Sequence, residues 1–291
     1  MNTFELFSRI KNLPLASEKI VEGLFSGNYR SVFRGPGLEF DEVREYQQGD
    51  DSRFIDWNVS SRMGSPYTKT FREEREMTLF LLVDASASLG TATGRMSRQD
   101  MVLILSSLLA FAAVHNNDRV GAAFFSDHIE KWVPPKKGKK QVFRLVEDIT
   151  SLPLQSKGSD LASAVRTVSE SLKKRGICVI ISDFRVNPSW RELSLLAKKH
   201  DVIAVKITDP SEKVFPLSGL AELQDPETGA TVHAAGSLPK FRRNYRAFWD
   251  SHHLFWQREC RRRGIATLSV NTNDDPVAVL QKFFSRRRKG R

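Results

Sequence analysis

Three short stretches of this 291-residue chain carry oxygen-bearing side chains in a pattern that suits a hard metal ion. In "LLVDASASLG" an apolar run ends on Asp84, and Ser86 and Ser88 follow at a spacing of two. In an extended turn that spacing points both hydroxyls to the side of Asp84. In "SKGSDL" Ser159 and Asp160 stand before a helical pattern, and in "VIISDF" a second apolar run ends on Asp183. Mg2+ and Mn2+ take oxygen ligands, and Mg2+ in particular keeps several waters in an octahedral set. The carboxylates of Asp84 and Asp183 with the hydroxyls of Ser86, Ser88 and Ser159 would leave positions open for water or a partner's carboxylate. Each stretch also has a plain structural reading. An aspartate at a strand end favours a turn, and Asp160 suits a helix N-cap.

These donors can meet only if their stretches end at one edge of one sheet. The pattern predicts that they do. "TLFLLVDAS", "DRVGAAFFSD", "IEKWVPPKK", "GICVIISDF", "DVIAVKITD" and "IATLSVNTND" read as strands. Among them the fully apolar runs mark buried parallel strands. Between them "SRQDMVLILSSLLAFAAVHNN", capped by Ser97, "GKKQVFRLVEDIT", "DLASAVRTVSESLKKRG", "SWRELSLLAKKH" and "LPKFRRNYRAFWDSHHLFWQRECRRRG" read as helices, and "PVAVLQKFF" closes the chain with Pro276 in its first turn. "LAELQDPETGATVHAAG" reads as a hairpin. Alternating strands and helices predict an α/β fold with a doubly wound, mostly parallel sheet. Ligands of such sheets sit beyond the carboxyl ends of the strands.

Ahead of the sheet, Leu6, Ile10, Leu13, Ile20, Leu24 and Phe25 recur at helical spacing, and residues 31–75 are polar and irregular. The reading divides the chain into an extension over 1–75, the sheet domain over 76–285 and a basic tail over 286–291. The helix before the tail is expected to end near Phe284, leaving Arg286, Arg287, Arg288, Lys289 and Arg291 disordered, since they bring charge and no apolar surface.

Hydrophobic residues make up 40% of the chain and charged residues 27%, the balance of a soluble globule. No run of about 18 apolar residues is evident, and no membrane-spanning helix is expected. The N-terminus lacks the apolar core of a signal peptide. Cys178 and Cys260 are far apart, which fits a reducing cytoplasm better than a disulfide or zinc scaffold. The formal net charge of +11 is concentrated in "KFRRNYRAF", "RECRRRG" and "SRRRKGR". No nucleic-acid-binding motif accompanies it, so a nucleic-acid partner is not expected. Peripheral contact of the basic tail with an anionic inner membrane is the alternative to a solvated tail.

The set Asp84-x-Ser86-x-Ser88, Ser159 and Asp183 resembles the metal-ion-dependent adhesion site of von Willebrand factor type A domains over residues 76–285. That resemblance implies a Rossmann-like fold and a Mg2+ (or Mn2+) site made by those five residues. Ser159 stands where the family usually has threonine, which keeps the hydroxyl. Upstream, "GLEFDEVREYQQGDDSRFIDWNVSSR" packs Glu39, Arg44, Tyr46, Asp50, Asp51, Arg53, Asp56, Trp57 and Arg62 into a short span. This block and the later "TDPSEKVFPLSGLAELQDPETGA" are similar to the domain of unknown function 58 family, across nearly the whole chain. Resemblance to that bacterial and archaeal family implies a MoxR-type AAA+ ATPase, or another type A domain protein, as partner. Many relatives carry N-terminal membrane helices, which this chain does not show. The block itself reads first as an ion-pair network in which Arg44, Asp51, Arg53 and Asp56 tie residues 31–75 to the sheet. Its second reading is a docking surface made of Arg44, Tyr46, Asp50, Asp51, Arg53, Asp56, Trp57 and Arg62.

The function expected is a non-catalytic, metal-dependent protein-binding module. The alternative is a metal-dependent phosphoester hydrolase. No histidine in the three site stretches offers a base, their one lysine, Lys157, is not read as an anion clamp, and none of the six histidines has metal-ligand spacing.

Overall fold

The computed structural model describes residues 38–73, 77–90, 93–151, 158–185, 189–215, 220–224 and 231–289. The expected N-terminal helix over 1–30 lies outside the described residues. What is described belongs to two compact units, one within Gly27–Glu76 and the other from Met77 onward.

In the smaller unit, strand β1 (Leu38–Glu45) pairs antiparallel with β2 (Tyr67–Glu73), with a bulge between Phe40 and Glu42, and the short helix α1 (Trp57–Met63) lies between them in sequence. Its charged residues organise the connection. Asp56 caps α1 by accepting from the amides of Asn58 and Val59, and pairs with Lys69 at 3.1 Å. Asp51 caps a 3-10 turn and takes a forked pair from Arg53. Asp50 accepts from Arg44 at 2.8 Å and from the amide of Gln47 at 2.9 Å. These ion pairs run within the smaller unit, and Arg53 is 84% exposed. Trp57 and Arg62 are also exposed. Glu39 lies on β1.

The larger unit alternates strand and helix. In order these are β3 (Thr78–Asp84), α2 (Arg98–His115), β4 (Arg119–Phe125), β5 (Ile129–Lys136), α3 (Lys139–Ser151), α4 (Leu161–Ser171), β6 (Ile177–Ser182), α5 (Trp190–Lys199), β7 (Asp201–Thr208), β8 (Leu220–Gln224), β9 (Thr231–Ala235), α6 (Pro239–Arg262), β10 (Ala266–Asn271) and α7 (Pro276–Lys289). Six strands form one sheet in the order β10-β7-β6-β3-β4-β5, parallel except for β5, and β8-β9 is a separate hairpin. The chain winds outward from β3 both ways, making the switch point the gap between β3 and β6.

The apolar strand residues alternate between two covers. Phe80 and Leu82 of β3 share a core with Cys178 and Ile180, Leu161 and Val165 of α4, Leu196 of α5, and Trp256 and Cys260 of α6. Packed together on the other cover are α2, α3 and α7. Ser97 and Asp100 close a capping box at the start of α2. Contrary to the expectation from the bare sequence, α2 has the length and mean hydropathy (1.2) of a membrane span, yet it is 78% buried inside the protein and serves as a core helix. Both cysteines are free and buried, and burial pushes each thiol up to about 12.

The C-terminus departs from expectation. Helix α7 continues past Phe284 to Lys289. Arg287 makes a two-pronged contact with Asp201 at the start of β7, at 2.5 and 2.6 Å, and both side chains are mostly buried. An ion pair with the sheet supplies the ordering that the missing apolar surface could not.

Candidate metal centre

The carboxyl ends of β3 and β6, at the switch point, hold the expected donors. Val83 pairs with Ile181, which makes Asp84 and Ser182 cross-strand neighbours. Asp84 is 2% exposed. Its Oδ1 accepts from the amide of Ser86 at 2.9 Å, and its Oδ2 accepts from Ser182 Oγ at 2.6 Å and Ser159 Oγ at 3.5 Å. The hydroxyls of Ser86 and Ser88 face each other at 3.0 Å, and both are buried. Gly158, with φ of 100°, turns the chain into the Ser159 loop, and Asp160 caps α4 by accepting from the amide of Ser163. The loop is tied to β4 by the amide of Asp160 donating to Ser126 O at 2.7 Å. On the third stretch Asp183 is 2% exposed and is followed by Phe184 with φ of 50°, a conformation uncommon for a bulky residue. The buried ring of Phe184 against Trp256 holds that turn in place.

Burial, with the charge of Asp183 adding to it, pushes the carboxyl of Asp84 up to about 6. Asp183 Oδ2 is buried without a hydrogen bond and lies 3.3 Å from Arg185 Nε, an ion-pair contact lacking hydrogen-bond geometry. Asp209, which directly follows β7, is the instructive contrast. Burial opposes its charge. Even so, hydrogen bonds from Ser211 and Thr93 hold its carboxyl well below the usual range, and Thr272 adds a further bond. One strand-end aspartate is saturated as a loop clasp, whereas the pair at the switch point retains unused oxygen. An under-satisfied buried carboxylate beside a second carboxylate and three hydroxyls fits the chemistry of a divalent cation.

Several residues at this edge escaped the sequence reading. Ser182 is one. The others form a buried charge network. Arg98 Nη1 donates to Ser88 O at 3.2 Å, and Arg98 and Arg185 both contact Glu212 Oε1 at 3.2 Å. Lys206, registered beside Ser182 on β7, is 1% exposed and lies 3.1 Å from His252 Nδ1. Burial lowers the pKa of Lys206 and of His252. Arg185, just past the "VIISDF" stretch, touches Asp183 directly, a cation the sequence reading did not weigh. A further cluster, Asp127, His128 and Glu130 in the β4–β5 turn, brings its ligand atoms within 4.8 Å, although no histidine showed metal-ligand spacing in the sequence. There His128 lies against both carboxylates, at 2.6 and 3.4 Å, and the group is largely exposed.

The profile of the family described as "Protein of unknown function DUF58" matches residues 42–254. An uncharacterized protein of Mycobacterium tuberculosis is 30% identical over 289 residues, 98% of this chain and 91% of that one. The chain belongs to the DUF58 family. Among solved structures, this DUF58 chain is similar to a conserved hypothetical protein, BatB, from Bacteroides thetaiotaomicron, with 16% identity and a TM-score of 0.47 over 73% of this chain and 99% of that one. An aerotolerance-related membrane protein from Bacteroides fragilis gives 16% identity and a TM-score of 0.46, over 74% and 100%. At that distance the fold of this DUF58 protein rests on its own strand order.

Proposed function

We propose that this chain is a non-catalytic protein-binding module acting in the cytoplasm through a divalent ion, Mg2+ or Mn2+, held by Asp84, Ser86, Ser88, Ser159 and Asp183. The observation that carries the reading is the buried Asp183 Oδ2, without a hydrogen bond and close to Asp84, whose own neighbours include the Ser159 hydroxyl. When bound, the ion supplies a Lewis-acidic position for an acidic side chain of the partner. Asp84 and Asp183 supply its countercharge, Ser182 orients Asp84, and Phe184 fixes the turn after Asp183. The partner we infer is a MoxR-type AAA+ ATPase or another type A domain protein, with the exposed face around Trp57, Arg53 and Arg62 as a second contact.

Calorimetric titration with Mg2+, Mn2+ and Zn2+ tests the centre. Wild type should bind and Asp84→Ala should not, while keeping its circular dichroism. Equal affinity in both would sink the reading. The phosphoester hydrolase remains the second reading because Arg185 beside Asp183 resembles an anion clamp. Arg98 and Lys206 are buried, whereas Arg185, paired with Asp183 and Glu212, is 33% exposed and is the most accessible cation of that network. Metal-dependent turnover of p-nitrophenyl phosphate, lost in Asp183→Ala, would reverse the preference.

A further inference from the structure

Helix α6 carries a surface that the metal centre does not use. Its 24 residues make a rod about 36 Å long. The inner stripe is committed to the core through Trp256 and Cys260, and Glu259 is buried against Arg262 and Arg263. The outer stripe is not. Phe248, Leu254 and Phe255 are 61%, 59% and 51% exposed, with Phe248 and Phe255 seven residues apart on one side of the helix, Phe255 edge-on to Trp190, and Leu254 about 100° round from Phe255. Around them the helix carries seven Lys and Arg against two acids, and of those acids only Asp250 is exposed. Arg243, Arg258 and Arg261 stand exposed on the side of Leu254, and Arg246 is exposed 3.7 Å from Asp250.

Water does not favour three large apolar side chains at the surface of one helix, and seven cations on that helix repel one another. A single partner resolves both costs if it offers apolar depth beneath a dense layer of negative charge. An anionic bilayer interface does so. Phenyl and leucyl groups enter the boundary between headgroups and acyl chains, and the nearby arginines meet lipid phosphates. The stripe is a convex helical ridge, matched by a deformable plane rather than by a peptide segment that needs a groove. We propose that the outer face of α6 is a peripheral docking surface for anionic membrane. The proposal is independent of the metal centre. It also moves any membrane contact away from the C-terminal arginines, of which Arg287 is held by Asp201.

Co-sedimentation of the full chain with vesicles tests it, using phosphatidylcholine alone and phosphatidylcholine mixed with phosphatidylglycerol. Two double variants accompany wild type: Phe248→Ser with Phe255→Ser, and Arg243→Gln with Arg258→Gln. All four positions are exposed, so both variants should fold, with circular dichroism as the check. Wild type should bind the anionic vesicles and leave the neutral ones, and each variant should lose about tenfold or more in affinity. Equal binding to neutral vesicles, or anionic binding that both variants retain, would overturn the proposal. So would absence of vesicle binding alongside retention on a single-stranded oligonucleotide or on polyglutamate, which would make the face a site for another polyanion.

Discussion

At the residue scale, Asp84 is where stability and the proposed function oppose each other. Its carboxyl is raised from 3.8 to about 6 in the folded chain without metal. Between about pH 4 and 6 the folded state therefore holds a proton that the unfolded state has lost. Raising the pH through that window removes stability, by about 3 kcal/mol for a shift of about two units. Asp84→Asn keeps the acceptor for Ser86 and cannot ionise. Without metal it should be more stable than wild type at pH 7, by up to about 3 kcal/mol, with the difference vanishing below pH 4. Mg2+ should stabilise wild type at pH 7 and leave Asp84→Asn unchanged. Urea denaturation at both pH values, with and without the ion, checks all of this. Arg185 is the other decisive residue. Its guanidinium would compete with the proposed cation for Asp183 Oδ2. Arg185→Gln should tighten Mg2+ binding about tenfold, equivalent to about 1.4 kcal/mol, at fixed ionic strength by calorimetry. An unchanged Kd would mean that Arg185 does not face the ion.

At the scale of elements, the two sets of ion pairs differ in what surrounds them. The Arg53–Asp51 pair spans two positions at the surface of the smaller unit, with hydrogen bonds from Arg53 holding Asp51 down at about 2. Water replaces such a contact, and Arg53→Ala should leave the melting temperature unchanged. The Arg287–Asp201 pair joins α7 to β7 across 86 positions with both side chains mostly covered. Removing the guanidinium strands a carboxylate, and Arg287→Ala should cost about 2 kcal/mol in thermal or urea unfolding. The contrast also explains what the sequence made legible. Buried strands announce themselves as apolar runs, helices by their period and caps, and so the order of elements and the strand-end positions of Asp84 and Asp183 were readable. Asp160 as a cap was readable because capping is local. The partners of Asp84 and Asp183 were not all readable, because Arg98 meets Glu212 across 114 positions and Ser182 reaches Asp84 across 98. The end of α7 was missed for the same reason: its anchor lies on another strand. Register offered one unused clue, since a strand ending next to Asp84 must place its last residue, Ser182, beside that carboxylate.

At the scale of the whole molecule, the five proposed donors span 99 positions, from Asp84 to Asp183, and come from three connections of one sheet. No segment can hold the ion alone. The centre exists only once β3, β4 and β6 are side by side, because β4 anchors the Ser159 loop through Ser126. Binding there would be binding to the folded sheet and not to the unfolded chain, and it would stabilise by about 2.7 kcal/mol when the free ion is at 100 times its Kd. Hydrogen exchange should register that gain as a unit. With saturating Mg2+, amides of β3, β6 and the first turn of α4 should slow together, whereas residues 38–73, which contribute no donor, should exchange as before. Slowing confined to residues 84–88, with β6 and α4 unchanged, would show an ion held by one loop and would remove Ser159 and Asp183 from the set.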